Sequence, residues 1–171
     1  MHIFLNRKAP DMQRRNFLFI GSGLLAGSLL PVVSAVGANT KAQWKAILPP
    51  AEYRVLFEED TEPPGSSPLN AEKRAGTYIC AACYQPLFDS NTKYESGTGW
   101  PSFYDHRPGA IATKTDFKLI WPRKEYHCSR CRGHQGHVFD DGPKPTGLRY
   151  CNNGVALRFV AKGEKFPELR A

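Results

Sequence analysis

One cysteine stands apart from the others in this sequence. The chain has 5 cysteines, and four of them form two Cys-x-x-Cys pairs, which leaves Cys151 alone. Arg149 lies two positions before Cys151 and Asn153 two positions after it. Residues two apart in a strand share a face, so Arg149 would hold a Cys151 thiolate by charge. The pattern predicts a redox nucleophile, although a lone cysteine is also typical of a buried, inert thiol.

Two histidines and a tryptophan are candidates to act with this cysteine. His134 and His137 lie in one short segment after the second cysteine pair, where they suit acid–base work or metal binding. We favour acid–base work, because the paired cysteines already complete a metal shell. Trp100 follows the glycine-containing turn 97–99, which would let its indole border a small-molecule pocket. A core tryptophan at a turn is the alternative.

The paired cysteines predict a structural metal site. Two-residue spacing lets both thiolates of a pair reach one ion, and two such pairs complete a tetrahedron. A closed shell of this kind is typical of zinc, with one ion per chain. Disulfides, a thioredoxin-type redox pair and iron are the alternatives. The 44 residues between the pairs mean that the site would join distant parts of the chain; its ligands are Cys80, Cys83, Cys128 and Cys131.

The composition predicts a globular chain with its own core. It has 171 residues, of which 41% are hydrophobic and 12% aromatic. The formal net charge is +7, of which residues 1–38 contribute +3. The remaining charges are interspersed, which is typical of a solvated surface and argues against a nucleic-acid partner.

Short β-type runs separated by turn residues dominate the chain after residue 76. We therefore predict a mainly β fold of two small antiparallel sheets pinned by the four-cysteine zinc site, with short helices in the N-terminal part. A helix is predicted over 48–56, followed by a proline-rich loop over 58–68 that is either plain surface or an ordered arm. The predicted strands cover 77–80, 86–88, 111–113, 117–121, 126–128, 137–139, 149–151 and 155–160.

The N-terminus has the pattern of a bacterial export signal. Arg14 and Arg15 precede a moderately apolar run rich in glycine and serine, followed by small residues, which indicates a twin-arginine signal and a periplasmic protein. Cleavage is expected after Ala35 or Ala38; the alternative is an uncleaved anchor, since 22 apolar-rich residues could cross a bilayer. We predict an export signal over 1–38 and one catalytic domain over 39–171, with no stable membrane insertion of the mature chain.

Several ordered motifs resemble those of the B-type methionine sulfoxide reductases, which act on the R epimer of methionine sulfoxide. The resemblance runs from about Leu48 to Phe159 and rests on the paired cysteines and on four further segments. These are Thr61-Glu62-Pro63-Pro64, Ser96-Gly97-Thr98-Gly99-Trp100-Pro101-Ser102-Phe103, Gly133-His134-Gln135-Gly136-His137-Val138-Phe139 and Asp141-Gly142-Pro143-Lys144-Pro145-Thr146-Gly147-Leu148-Arg149-Tyr150-Cys151-Asn152-Asn153.

The resemblance implies a β-rich fold, zinc on the paired cysteines and Cys151 as the catalytic residue. It also implies roles around the substrate for Trp100, His134, His137 and Asn153, with Phe139 and Arg149 close by. The expected activity is repair of oxidised proteins: the Cys151 thiolate attacks the sulfoxide sulfur, the histidines protonate its oxygen, and Cys151 becomes a sulfenic acid. Trp100 would hold the methyl group, and Arg149 would keep the resting thiol partly ionised.

Three departures from the family pattern matter. Thr98 stands in the segment where many members carry a second, resolving cysteine, so we expect an external thiol, from a thioredoxin-like protein or a small molecule, to reduce Cys151. Gln135 stands where leucine is common and Gly154 where serine is common; neither removes a catalytic group. The competing hypothesis is a zinc-stabilised β module that binds ligands or partners without chemistry.

Overall fold

The computed structural model describes residues 39–117 and 122–170. The predicted export signal over 1–38 lies outside the described residues, as does most of the predicted strand over 117–121. The domain boundary after residue 38 therefore stays a prediction. Within the described ranges, no helix combines the length and the apolar character needed to cross a membrane.

Two short helices begin the described chain. Helix α1 covers Lys41–Ile47 and α2 covers Pro50–Glu58. A capping box starts α1, because Thr40 and Gln43 each accept a hydrogen bond from the other's backbone N–H. Proline starts α2, where its missing N–H costs no helical bond. The helix predicted over 48–56 is therefore present with shifted bounds, and a second helix precedes it.

Nine strands form two antiparallel sheets in the described part of the chain. The smaller sheet has the order β2-β1-β9 and the larger has the order β3-β4-β8-β7-β6-β5. This arrangement confirms the predicted mainly β fold of two antiparallel sheets with helices at the N-terminal end. The strands are β1 Gly76–Cys80, β2 Pro86–Asp89, β3 Lys93–Tyr94, β4 Ser102–Phe103, β5 Ile111–Asp116, β6 Arg123–Cys128, β7 His134–Phe139, β8 Arg149–Asn152 and β9 Leu157–Ala161.

Aromatic side chains pack the two sheets together. Phe88 of β2 stacks on Phe103 of β4, with ring centroids 4.2 Å apart, and Tyr78 of β1 meets Phe103 edge-on at 4.9 Å. Tyr126 and Tyr150 contact the same Phe88 ring from β6 and β8. Buried rings of this kind contribute both apolar area and ring–ring attraction, so they fix one sheet against the other.

The last predicted strand begins later than its sequence pattern indicates. Residues Gly154–Ala156 form a 3-10 turn, and β9 starts at Leu157. The cause is a distant carboxylate: Glu62 accepts hydrogen bonds from the backbone N–H groups of Gly154 and Val155, the latter at 3.1 Å. The proline-rich loop that contains Glu62 is therefore an ordered arm across the domain.

Strand β8 places Cys151 between two neighbours. Cys151 lies opposite His137 of β7 on one side and opposite Ser102 of β4 on the other. Directly opposed residues of antiparallel strands have Cβ atoms roughly 5 Å apart, so their side chains interact. The sheet thus brings together three segments that are far apart in sequence.

Candidate active site and metal centre

The two Cys-x-x-Cys turns have the same backbone geometry. In the first turn Tyr84 N–H donates to the Cys80 carbonyl at 2.9 Å, and in the second Arg132 N–H donates to the Cys128 carbonyl at 3.0 Å. Tyr84 and Arg132 both have positive φ, at 65° and 64°. Each turn therefore presents its two sulfurs on the same side, at the ends of β1 and β6.

The four sulfurs from these turns lie together. Cys80 Sγ is 3.6 Å from Cys131 Sγ, and Cys83 Sγ is 3.5 Å from Cys128 Sγ, so the close pairs cross between the turns. All four ligand atoms lie within 4.8 Å of one another and are buried. Tetrahedral zinc with Zn–S bonds of about 2.3 Å would place its sulfurs about 3.8 Å apart, so the cluster fits a four-thiolate metal ion. All five cysteines are free thiols, and the disulfide alternative is not supported.

Cys151 lies at a separate site. It is half-buried and lines a cavity of about 120 Å³. Five of the seven predicted catalytic and substrate-binding residues converge here, together with four residues to which the sequence analysis assigned no role. The lining is Thr61, Trp100, Arg123, Gly136, His137, Phe139, Cys151, Asn152 and Asn153.

His137 is held by an aspartate from the neighbouring hairpin. Its Nε2 lies 2.8 Å from Asp116 Oδ2, and Arg123 Nη2 donates to the same oxygen at 2.8 Å. Because a carboxylate only accepts, Nε2 carries the proton of this bond and Nδ1 is left for exchange. Burial lowers the pKa of His137, and the bond to Asp116 acts in the opposite direction.

His134 lies behind His137 and not in the cavity wall. The two imidazole centroids are 5.4 Å apart, and His134 Nδ1 lies 2.9 Å from Glu125 Oε1. Burial acts to raise the pKa of Glu125, but His134, Lys114 and His127 together bring it below its ordinary value. The buried carboxylate thus fixes the orientation of His134, whose ring contacts His137.

The ordered arm positions Trp100 and Asn153. Trp100 Nε1 donates to the Glu62 carbonyl at 3.1 Å, and Glu62 N–H donates to Asn153 Oδ1 at 3.1 Å. Asn153 Nδ2 donates to the Gln135 carbonyl at 3.1 Å, which ties the arm to β7. Burial raises the pKa of Glu62, although its two backbone donors act against that rise. Trp100 is half-buried, so it is a wall of the cavity and not a core side chain.

Arg149 is committed to an ion pair. Its Nε and Nη2 donate to the two carboxylate oxygens of Asp141, each at 2.8 Å, and its guanidinium lies 4.3 Å from the centre of the Phe139 ring. Burial raises the pKa of the Cys151 thiol, and Thr98 and Arg149 offset only part of that rise. The prediction that Arg149 keeps the resting thiol partly ionised stays a prediction: Arg149 favours the thiolate, while burial favours the protonated thiol.

Two glycines explain details of the sequence around the site. A Cβ on Gly136 would lie 1.9 Å from the Cys151 carbonyl oxygen, so only glycine lets β7 approach β8 at this point. A Cβ on Gly154 would lie 1.9 Å from Ser67 Oγ. A side chain at position 154, such as the serine that the family pattern led us to expect, would therefore clash with Ser67.

The sequence analysis assigned no role to Asp116, Arg123 or Glu125. No local spacing marks them, because Asp116 and Arg123 meet only through the β5–β6 register, in which they are direct partners. Glu125 is opposite His137 in the β6–β7 register. All three positions lie between the strands predicted over 111–113, 117–121 and 126–128, so the sequence analysis had no signal for them.

The comparisons with known proteins agree with this geometry. Residues 48–161 match the model of the SelR domain. A peptide methionine sulfoxide reductase MsrB from Methanosarcina barkeri is 50% identical over 127 residues, covering 74% of this chain and 89% of the relative. MsrB proteins from Pseudomonas putida and Thiobacillus denitrificans are 50% and 49% identical, covering 71% and 72% of this chain and 92% and 95% of those relatives. The chain therefore belongs to the SelR-domain family.

Proposed function

We propose that this chain reduces methionine sulfoxide to methionine with electrons from thiols, acting on the R epimer and mainly on residues within oxidised proteins. The position of Cys151 carries this proposal. It is the one cysteine of 5 that lines the small cavity, opposite His137, whereas the other four are clustered elsewhere. The names of relatives that are 50% identical to this chain support the same reaction.

The reaction balances with the groups that the site holds. The Cys151 sulfur attacks the sulfoxide sulfur, the sulfur–oxygen bond of the substrate breaks, and the oxygen passes to Cys151 as a sulfenic acid while methionine leaves. The cysteine sulfur is oxidised and the substrate sulfur is reduced by the same electron pair. The thiol proton ends on the transferred oxygen, so thiol plus sulfoxide gives sulfenic acid plus thioether.

His137 is the residue that would move this proton. Its Nε2 is held by Asp116, which leaves Nδ1 for exchange with the thiol and the sulfoxide oxygen. His134 would act through His137, because it contacts the His137 ring and does not line the cavity. We therefore regard His134, fixed by Glu125, as a positioning residue.

The walls of the cavity would select the substrate. Trp100 would lie against the methyl group, and Phe139 would form a second aromatic wall, stiffened by Arg149 on its ring. Asn153 would hold Trp100 in place through the arm that both residues contact. The cavity, of about 120 Å³, has room for the end of a methionine sulfoxide side chain.

An external thiol would restore the enzyme. All five cysteines are accounted for by the cluster and the nucleophile, so the sulfenic acid has no resolving partner inside the chain. One external thiol would displace water to give a mixed disulfide, and a second would release Cys151 as a thiol with an external disulfide. A thioredoxin-like protein or a pair of small thiols supplies this chemistry.

Zinc is the metal that we propose for the four-cysteine cluster, with one ion per chain. A closed shell of four thiolates leaves no position for substrate, so the ion would hold the turns after β1 and β6 together and take no part in the reaction. The sulfur spacing supports a tetrahedral ion.

The bacterial periplasm is the compartment that we propose, on the basis of Arg14, Arg15 and the apolar run that follows them. Cell fractionation of a strain expressing the full chain tests this. We expect a shortened mature protein in the periplasm and its loss in a strain that lacks the twin-arginine translocase. Export unchanged in that strain, or full-length protein in the cytoplasm, would overturn the assignment.

Turnover of a racemic sulfoxide tests the function. The zinc-loaded protein is mixed with dithiothreitol and a racemic sulfoxide of blocked methionine, and the epimers are followed by chiral chromatography. We expect half of the substrate, the R epimer, to be consumed by the wild type and none by Cys151→Ser. A wild type that reduces neither epimer, or a Cys151→Ser protein of equal rate, would favour the non-catalytic binding module, which the geometry does not otherwise support.

A further inference from the structure

A chain of three hydroxyl groups ends at the Cys151 sulfur. Ser102 Oγ lies 2.7 Å from Ser96 Oγ, and Ser96 Oγ lies 2.8 Å from Thr98 Oγ1. Thr98 Oγ1 lies 3.9 Å from Cys151 Sγ, near the long end of the range for a hydrogen bond to sulfur. Ser102 is fully buried and sits opposite Cys151 across the β4–β8 pair, so both ends of the chain are fixed by the same two strands.

The number of available protons fixes the direction of the hydrogen bonds along the three hydroxyl groups. Ser102 Oγ donates to the Trp100 carbonyl at 3.1 Å, so its only proton is used and it accepts from Ser96. Ser96 in turn accepts from Thr98, and Thr98 then has no proton left for sulfur. Thr98 can only accept from the Cys151 thiol. The resting geometry therefore fits a protonated Cys151.

Ionisation of Cys151 removes the proton at one end of this chain. The thiolate only accepts, so Thr98 must turn its proton towards sulfur to keep the contact. Thr98 can then accept from Ser96, and Ser96 from Ser102, which gives up its bond to the Trp100 carbonyl. Each oxygen stays in place, and only hydroxyl rotations are needed.

We propose that the Ser102–Ser96–Thr98 chain reverses when Cys151 ionises, so that Thr98 donates a hydrogen bond to the thiolate and acts as a positioning residue for the nucleophile. The proposal rests on the proposed function for its role in sulfoxide reduction, but the hydrogen bond itself is independent of the substrate. It assigns a part to Thr98, which lies in the segment where the family resemblance led us to look for a resolving cysteine.

The other charged and titratable groups around Cys151 also affect the stability of its thiolate. Arg149, on the same strand, also favours the thiolate, but two of its donors are taken by Asp141. His137 faces Cys151 from β7, and its burial disfavours the imidazolium that would pair with a thiolate. The charge of a Cys151 thiolate contributes to raising the pKa of Tyr94 and of Tyr126. Ser102 faces Cys151 from β4 and also favours the thiolate, so the contribution of Thr98 is measured by removing its hydroxyl alone.

The test compares Thr98→Val with Thr98→Ser. Valine keeps the shape of threonine without the hydroxyl, whereas serine keeps the hydroxyl. The rate of Cys151 alkylation by iodoacetamide is measured against pH in the zinc-loaded protein, with the modified peptide identified by mass spectrometry. We expect the midpoint to rise by about one unit in Thr98→Val, a tenfold smaller thiolate fraction at a given pH, and to return in Thr98→Ser.

Thr113→Val on the exposed part of β5 is the matched control, and its midpoint is expected to equal that of the wild type. An unchanged midpoint in Thr98→Val, or an equal shift in Thr98→Ser, would overturn the proposal. Sulfoxide turnover by the wild type is measured in parallel. If the wild type turns over sulfoxide but the alkylation midpoint of Thr98→Val is unchanged, only the hydroxyl-chain proposal is contradicted. If the midpoint shifts but the wild type does not turn over sulfoxide, only the proposed function is contradicted.

Discussion

The same side chain, cysteine, occurs in two contrasting regions of this molecule. At the ends of β1 and β6, four buried cysteines face one another from two turns of matching geometry. On β8, Cys151 is half-buried and faces an imidazole and a hydroxyl, with a cavity beside it. The four cluster sulfurs lie against one another, whereas Cys151 lies beside the cavity and contacts no other cysteine among the described residues. The difference teaches that the surroundings, and not the residue type, separate a structural thiol from a reactive one.

One buried glutamine connects these two regions. Gln135 Nε2 donates to Cys80 Sγ at 3.5 Å, and Gln135 Oε1 accepts from Asn152 Nδ2 at 3.4 Å. Asn152 is the residue after Cys151, and its Oδ1 accepts from the Tyr126 hydroxyl at 2.7 Å. A leucine at position 135 would make none of these bonds. The two regions are therefore in contact in this chain, which makes their independence a question for experiment.

The largest contrast is expected between serine replacements in the two regions. Cys128→Ser should lose metal and most folded protein, because structural zinc stabilises small domains by roughly 10 kcal/mol or more. Cys151→Ser should keep its metal and lose sulfoxide turnover. Its free energy of unfolding should stay within about 1 kcal/mol of the wild-type value. Metal content, thermal unfolding and turnover are measured on both proteins. A Cys128→Ser protein that keeps its fold and activity without metal would break the distinction.

A smaller effect is expected from Asp116→Asn, which touches only the Cys151 region. The asparagine should lower turnover by roughly 10- to 100-fold, with metal content unchanged. Asp116 acts to raise the pKa of His137, while burial, Arg123 and His134 lower it. Without the carboxylate the pKa falls further, so activity that needs a protonated His137 is lost at lower pH. The measurement is the pH dependence of turnover.

The matched control for this change is Asp105→Asn on the exposed surface, which should behave as the wild type. If Asp116→Asn keeps full turnover, and its turnover falls at the same alkaline pH as in the wild type, then His137 does not transfer the proton.

The smallest effect is expected from Gln135→Leu, which cuts the connection between the regions. Loss of the N–H donor to Cys80 should weaken metal binding by about tenfold, the lower end for residues that support metal ligands. Turnover of the metal-loaded protein should stay within about twofold, because Asn152 keeps its bonds to Tyr126 and Asn153. Competition with a zinc chelator and turnover provide the two readouts. A drop in turnover larger than the drop in metal affinity would mean that the regions are coupled.

Local chemistry accounts for what the sequence could predict. The spacing of Cys80 and Cys83, and of Cys128 and Cys131, identifies metal-binding turns without knowledge of the fold, and the cluster is present. Alternating strands with turn residues between them were enough for two antiparallel sheets. Helix α1 also has a local signal, the capping box formed by Thr40 and Gln43, which the analysis did not use.

Contacts between distant segments account for the rest. Asp116 and Arg123 become a pair only through strand register, and Glu62 shortens β9 from a position more than 90 residues earlier in the chain. Arg149 lies two residues before Cys151 in the sequence, but its Nε and Nη2 donate to Asp141. The sequence therefore indicates a charge near the thiol but not the carboxylate that competes for it.

Trapping the oxidised enzyme tests most directly the claim that Cys151 is the reactive thiol and has no partner inside the chain. The reduced, metal-loaded protein is given one equivalent of a methionine R-sulfoxide together with dimedone, and its peptides are mapped by mass spectrometry without reductant. We predict one dimedone adduct, on Cys151, with the metal retained. A disulfide that joins Cys151 to a cysteine of the cluster, or an adduct on any other residue, would contradict the account.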